Sequence, residues 1–264
     1  TIDGVVAVID SGLARMASYD PRRAIDTLTV GKVSRASAQQ RAGRAGRTGP
    51  GRCVRLWSER DHGRRSEFES PEVHRIDLAE AVLYLKSGGV EEIRDFRWMD
   101  APEEDSLRRA EDLLEMLGAV DEEGGLTEIG YSMARYPLHP RAARLLEAAK
   151  REGCVAEACF SAAVLQGEGV FTRKATRAQK ERFQEDGDRS DFELEWRACE
   201  VAEGLRFDPV RCGELGLHAR QAREILQSWQ QLCRLVGRPA IRRGHVDMEE
   251  LRIPLGRAVL AAYG

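Results

Sequence analysis

The chain has 264 residues, 42% apolar and 32% charged, with a formal net charge of −3. That balance is expected of a soluble globular protein with room for two or three small domains. No apolar run reaches the roughly 20 residues that cross a bilayer, and the first residues, TIDGVVAVIDSG, show neither the basic start nor the cleavage site of a secretory leader.

The six cysteines (Cys53, Cys154, Cys159, Cys199, Cys212 and Cys233) are scattered and form no C-x-x-C pair. They read as reduced, mostly buried thiols in a cytoplasmic protein. The five histidines are equally dispersed, so no metal site is expected. The net charge conceals an asymmetry. Residues 1–67 carry 13 Lys and Arg against 7 Asp and Glu, a net +6, and the remainder carries 28 against 37, a net −9. Affinity for phosphate is therefore expected mainly in the first quarter, with an idle solvated basic surface as the alternative.

In chain order, GVVAVIDSG (residues 4–12) is a short β-branched run closed by Ser-Gly, which predicts a buried strand of a parallel sheet. LARMASYDPRRAIDTLTV places strand-like stretches on either side of Asp20-Pro21-Arg22-Arg23, and a proline after aspartate starts a turn, so a β-hairpin is expected. SAQQRAGRAGR then reads as a helix and GRCVRLW (51–57) as another strand. The first part of the chain is therefore read as α/β, followed by a mostly α remainder.

The polar stretch SERDHGRRSEFESPE (58–72) reads as a connector. Beyond it, Asp77-Leu78-Ala79-Glu80 has capping-box-like spacing ahead of a helix through Leu85. Leu107, Ala110, Leu114 and Leu117 recur at helical spacing, and Gly118 stands where a C-terminal glycine belongs. AVDEEGGLT (119–127) follows as a tight hairpin with a Gly-Gly turn. Two helices and a small hairpin form the pattern of a winged helix. From PLHPRAARLLEAAK onward the chain reads as helical; Ala222, Ile225, Leu226, Trp229, Leu232, Cys233 and Val236 keep amphipathic spacing over four turns, with Trp229 in the core. Residues 173–191 read as a polar, partly solvated connection.

The run QQRAGRAGRTGPG (39–51) admits two readings: a flexible Arg-Gly tract, or an anion-binding helix with assigned targets. Successive helical residues turn by about 100°, so Gln40, Arg44 and Arg47 fall within roughly 60° of one another on one face. Gly43 and Gly46 remove side-chain bulk and would let that helix approach another surface closely. Arginine offers a planar fork of donors to phosphate oxygens and stays charged; glutamine can orient a water without ionising. Ser37 and Gln40 also fit S-x-x-Q, which leaves a capping role for Gln40 open. The position of the stretch between two apolar strands favours folding over a flexible tract.

QRAGRAGRTGPG resembles motif VI of superfamily 2 helicases, in the form used by DEAH-box RNA helicases. Thr1-Ile2-Asp3-Gly4 resembles the tail of their motif V. VIDSGLARMASYDPRRAIDTLTVGKVSRASAQQ resembles the strand and hairpin between the two motifs, and LTEIGYSMARYPLHPRAARLL resembles the join from winged helix to helical ratchet. The resemblance implies a partial RecA-like domain with its β-hairpin over residues 1–68, a winged helix over 69–136, and a helical ratchet bundle over 137–264, cut before an OB-like domain. It implies that Gln40 positions the water that attacks the ATP γ-phosphate, and that Arg44 and Arg47 are arginine fingers; removing such a finger costs on the order of 10³–10⁵ in rate. Thr1 and Asp3 would lie near the nucleotide. Arg15, Arg22 and Arg23 on the hairpin would contact nucleic-acid phosphates, with solvated turn charges as the alternative. Arg41 points off the Gln40 face and has a structural role.

Neither GxxxxGK[ST] nor the DEAH tetrad occurs in the sequence, and Phe192 stands in RSDFELEW (189–196) where many relatives carry histidine. The expectation is thus a piece of an ATP-dependent RNA helicase, inactive alone, whose parent uses ATP and Mg2+ with the magnesium ligands outside this chain. Its expected partner is RNA, with DNA as an alternative; a membrane is not expected, and the chain is expected to be monomeric. The rival reading is a non-enzymatic winged-helix module that binds nucleic acid.

Overall fold

The computed structural model describes residues 4–20, 25–167, 169–188, 190–238 and 248–264. It divides into two compact units, Thr1–Val82 with Glu92–Ala110, and Leu83–Glu91 with Glu111–Gly264. It is mostly helical, with two small sheets.

In the first unit, β1 (Ala7–Asp10) runs into β2 (Leu13–Asp20), which pairs antiparallel with β3 (Ile25–Lys32) from Leu13 opposite Lys32 to Asp20 opposite Ile25. Then come α1 (Arg35–Ala42), a 3-10 turn (Gly43–Gly46) and β4 (Arg52–Arg55). β4 returns beside β1 in parallel, with Ala7 opposite Arg52 and Asp10 opposite Arg55. The strand expected to be buried is not. Ile9 is 73% exposed and Val54 across from it 54%, while Asp10 on the other face is buried. The pair has α1 packed on β1, so alternation along the strand leaves one face open.

The connector also departs from its reading. It contains α2 (Glu59–Gly63), capped by the Ser58 hydroxyl, and it buries Arg65. The division between units falls within α3 (Ala79–Ser87) and α4 (Glu104–Met116). Asp77 accepts from the Ala79 amide at 2.6 Å and starts the first of these.

In the second unit Gly118 takes φ +67 just past α4. A minimal hairpin follows, with Val120 bridged to Leu126 and the turn closed by the Gly125 amide on Asp121 Oδ1 at 2.6 Å. Thr127 caps α5 (Glu128–Met133) by accepting from the Gly130 amide. Lys86 is buried and pins this hairpin, donating to the Gly124 carbonyl at 2.8 Å and the Glu91 carbonyl at 3.1 Å.

The remaining helices are α6 (Pro140–Glu152), α7 (Val155–Leu165), α8 (Arg177–Glu181), α9 (Asp191–Gly204), α10 (Pro209–Glu214), α11 (Ala219–Leu235) and α12 (Met248–Tyr263). α7 is buried all round, from Val155 to Val164, and α6, α9 and α11 pack on it while α12 packs on α6. A helix that is apolar on nearly all sides belongs in the centre of a bundle, and its two polar residues, Glu157 and Ser161, are buried with it. At its heart Phe160, Trp196 and Trp229 meet edge to face, with ring centroids 4.7 to 6.0 Å apart. The Trp229 indole N–H donates to the Ala156 carbonyl at 2.8 Å, which satisfies the polar atom of a side chain only 2% exposed. The polar connection over 173–191 is more ordered than its composition suggests. It contains α8 behind a Thr176/Gln179 capping box, and it buries Phe183.

Candidate functional site

The Arg-Gly run is folded, but it is not one helix. α1 stops at Ala42, and Gly43–Gly46 continue as a 3-10 turn. Two glycines three residues apart lower α-helix propensity by about 1 kcal/mol each relative to alanine, and the chain tightens there. Arg44 lies within this turn and Arg47 is its C-cap residue, so the uniform spacing of about 100° per residue in an α-helix does not hold between them. Gln40 on α1, Arg44 in the turn and Arg47 just after it are all exposed. Among the described residues Arg44 pairs with no carboxylate.

Gln40 does not cap the helix. The N-cap is Ser34, whose hydroxyl accepts from the Ser37 amide at 3.1 Å. The other amides of the first turn are taken by the segment after α2: Ser34 N–H donates to Glu69 Oε1, Arg35 N–H to the Ser66 carbonyl and Ala36 N–H to the Glu67 carbonyl. The positive end of α1 is thus consumed by the chain itself. Any anion held here is held by side chains at the opposite end.

The glycines do a different job from the one expected. A Cβ on Gly43 or Gly46 would meet nothing within 4 Å. The close approach is made by Gly51, where a Cβ would lie 1.9 Å from the Ala45 carbonyl oxygen. Ala45 is the buried residue of the turn, 3% exposed. The turn is therefore seated through Ala45 against the start of β4, with its arginines outward.

Behind the turn lies a charged frame. Arg41 donates to Asp10 Oδ1 at 2.9 Å and to the Leu13 carbonyl at 3.1 Å. Asp10 also accepts from the Gly12 amide at 2.8 Å, while its Oδ2 is buried without a hydrogen-bond partner. Arg65 donates to the Gly12 and Val33 carbonyls at 2.8 and 3.0 Å and to Asp61 at 2.9 Å, with its guanidinium 4.2 Å from the Trp57 ring centre. Gly12 has φ +71 and no room for a Cβ against Arg65 and Trp57. Lys32, and more weakly Arg65 against some desolvation, hold the Asp61 carboxyl below the usual carboxylate range. Arg55 reaches Gln39 Oε1 at 3.2 Å.

Sequence reading assigned Arg41 a structural role but missed Asp10, Gly51 and Arg65. One signal was available: Asp-Ser-Gly at 10–12 is an Asx-turn pattern. Arg15 is exposed on β2. Thr1, Asp3, Arg22 and Arg23 lie outside the described residues. Among the described residues no group of three or more His, Cys, Asp or Glu could hold a metal ion, and no helix is long and apolar enough to cross a membrane. Phe192, half-buried, lines an apolar recess of about 350 Å³ between the start of α9 and α12, bounded by the Glu193–Arg252 ion pair.

Residues 110–138 match the family model of the helicase associated domain (HA2), winged-helix. The matched stretch takes in the second half of α4, the minimal hairpin and α5, and ends at Leu138. This stretch is thus similar to a helicase-associated module, which supports a setting in the C-terminal region of a DEAH/RHA-type helicase.

Proposed function

We propose that the chain is the strand-handling and arginine-finger part of a cytoplasmic, ATP-dependent RNA helicase of the DEAH type. In this reading residues 1–68 are the end of the second RecA-like domain, 69–136 the winged helix and 137–264 the ratchet bundle. Gln40 orients the attacking water, and Arg44 and Arg47 neutralise charge as the γ-phosphoryl group leaves. The observation that carries the reading is the exposure of Gln40 on α1 and of Arg44 and Arg47 on and just after a braced turn, in a chain whose residues 110–138 also match the helicase-associated winged helix. These groups suit a polyphosphate by their chemistry: two exposed guanidinium groups close in the chain, and a neutral amide about one turn before the first. Magnesium would neutralise the β- and γ-oxygens in the parent. The β2–β3 hairpin, with Arg15 on its first strand and Arg22 and Arg23 in its connection, meets the RNA backbone. Thr1 and Asp3 are assigned to the nucleotide on the resemblance to motif V alone. Binding that reads phosphates is salt-sensitive and weakly sequence-specific.

The test is ATP turnover by the full-length parent carrying Arg44→Ala or Arg47→Ala. Turnover should fall by about 10³-fold or more while RNA binding stays near the parental level. Preserved turnover in both variants removes the finger assignment, and a parent with no ATP turnover at all leaves the non-enzymatic nucleic-acid module in its place. Matched RNA and DNA duplexes in the same unwinding assay decide the substrate.

A further inference from the structure

Three pieces of the first unit meet at one guanidinium. Arg41 sits on the last turn of α1, directly before the 3-10 turn with Arg44 and Arg47. Its Nη1 bridges Asp10, the last residue of β1, and the carbonyl of Leu13, the first residue of β2. The Asp10 oxygen that it touches is the one that receives the Gly12 amide. From the other side Arg65 grips the carbonyls of Gly12 and Val33, the residues that enter and leave the hairpin, and the Val33 amide closes on the Gly12 carbonyl at 3.0 Å. The hairpin root is thus held at two points, one rooted in the connector and one in the helix that carries the arginine turn.

The second point leaves one acceptor unmet. Asp10 has a side chain 2% exposed, and its Oδ2 is buried and unpartnered. A buried carboxylate oxygen without a donor is costly, and the nearest guanidinium spends one of its bonds on Leu13 instead. An arginine fork can take both oxygens of a carboxylate at once. We propose that Arg41 is a positioning residue with two arrangements. In one it bridges Asp10 and the Leu13 carbonyl, as seen here. In the other it lies bidentate on Asp10 and releases Leu13. A polyphosphate drawing Arg44 and Arg47 toward itself moves the end of α1 and selects between the two, so phosphate occupancy sets the freedom of the hairpin root. This rests on the phosphate reading of the turn. It adds a two-state element that both sites bias, which is what a physical coupling requires.

The experiment uses the 264-residue chain and inorganic tripolyphosphate, with binding followed by calorimetry and the hairpin by hydrogen exchange with mass spectrometry. In the parent, tripolyphosphate should change exchange over residues 12–17 and 29–33 by about three- to tenfold, the scale of one hydrogen bond gained or lost. Arg41→Ala and Asp10→Asn should both still bind tripolyphosphate, and both should lose the hairpin response. Asp10→Asn keeps an acceptor for Gly12 and Arg41 but lacks the second carboxylate oxygen, so it retains the frame if Arg41→Ala does not fold. A parental hairpin response in either folded variant overturns the coupling, as does parental binding with no hairpin change. Absence of binding in the parent is a separate result that removes the phosphate reading itself.

Discussion

Replacing Gly51 by alanine tests how the arginine turn is seated. The added Cβ would stand 1.9 Å from the Ala45 carbonyl oxygen and 2.6 Å from its carbon, and Cβ atoms essentially never come within 3.0 Å of such a neighbour. The turn and the start of β4 must therefore part by about 1.1 Å. Both partners are backbone, so no side chain can swing aside. Overpacking of this kind costs about 1–3 kcal/mol, offset by about 0.4–1 kcal/mol from the stiffer unfolded chain. Central values leave a net loss of about 1.3 kcal/mol, which corresponds to roughly tenfold faster local opening. Hydrogen exchange over residues 35–56 reads it directly. Gly43→Ala is the opposite case: its φ of −62° is helical and a Cβ meets nothing, so exchange there should slow by about two- to fivefold. Exchange at the parental rate in Gly51→Ala, or equal acceleration in both variants, refutes the seating through Ala45.

Three further outcomes are expected. Gly130→Ala puts a Cβ 2.1 Å from the Ala119 carbonyl oxygen, inside the helicase-associated match; calorimetry should show a loss of about 1–3 kcal/mol, and an unchanged melting temperature would contradict the close packing of α5 on the minimal hairpin. Burial alone would raise the Glu147 carboxyl, but hydrogen bonds from Lys150, Tyr136 and Ser132 outweigh it and leave it below the usual range. Its contribution is therefore complete above the unfolded value of about 4.3 and is lost as pH falls through the lower folded value. Glu147→Gln should be less stable at neutral pH and show a flatter acid limb in melting against pH; parallel curves for the two proteins would count against the network. Finally, five of the six cysteines are buried and Cys53 is partly exposed, with burial pushing the Cys154 thiol up to about 11. A thiol reagent at pH 8 should label one cysteine rapidly in the native protein and six after denaturation, and rapid native labelling of several would show the bundle to be open.

The elements that were legible carry a local signal. The hairpin is announced by apolar stretches either side of Asp20-Pro21, and β2 and β3 pair along their full length. The α11 stripe from Ala222 to Cys233 is buried at each of its spaced positions through Cys233. What escaped depends on distant partners or on competition between similar states. Arg65 looks like one charge among many in a polar connector, and the carbonyls that bury it lie 53 and 32 residues away. The end of α1 at Ala42 turns on a small difference between α and 3-10 hydrogen bonding at glycine. Val-Val-Ala-Val-Ile reads as interior, yet burial depends on what lies on each face of a strand, and one face of β1 lies open. In the candidate site the residues that could meet phosphate were visible in the motif; the residues that hold them were visible only once the strands had been brought together.

Arg65 and Arg75 grip the hairpin by its main chain. Arg65 takes the carbonyls of Gly12 and Val33, while Arg75 takes that of Ala17 and returns its own carbonyl to the Tyr19 amide. Every residue type offers the same carbonyl, so the mounting is blind to the letters written along most of the hairpin. Side chains along the strands can therefore change at most positions without loss of these bonds, over evolution or by design, while position 12 requires glycine.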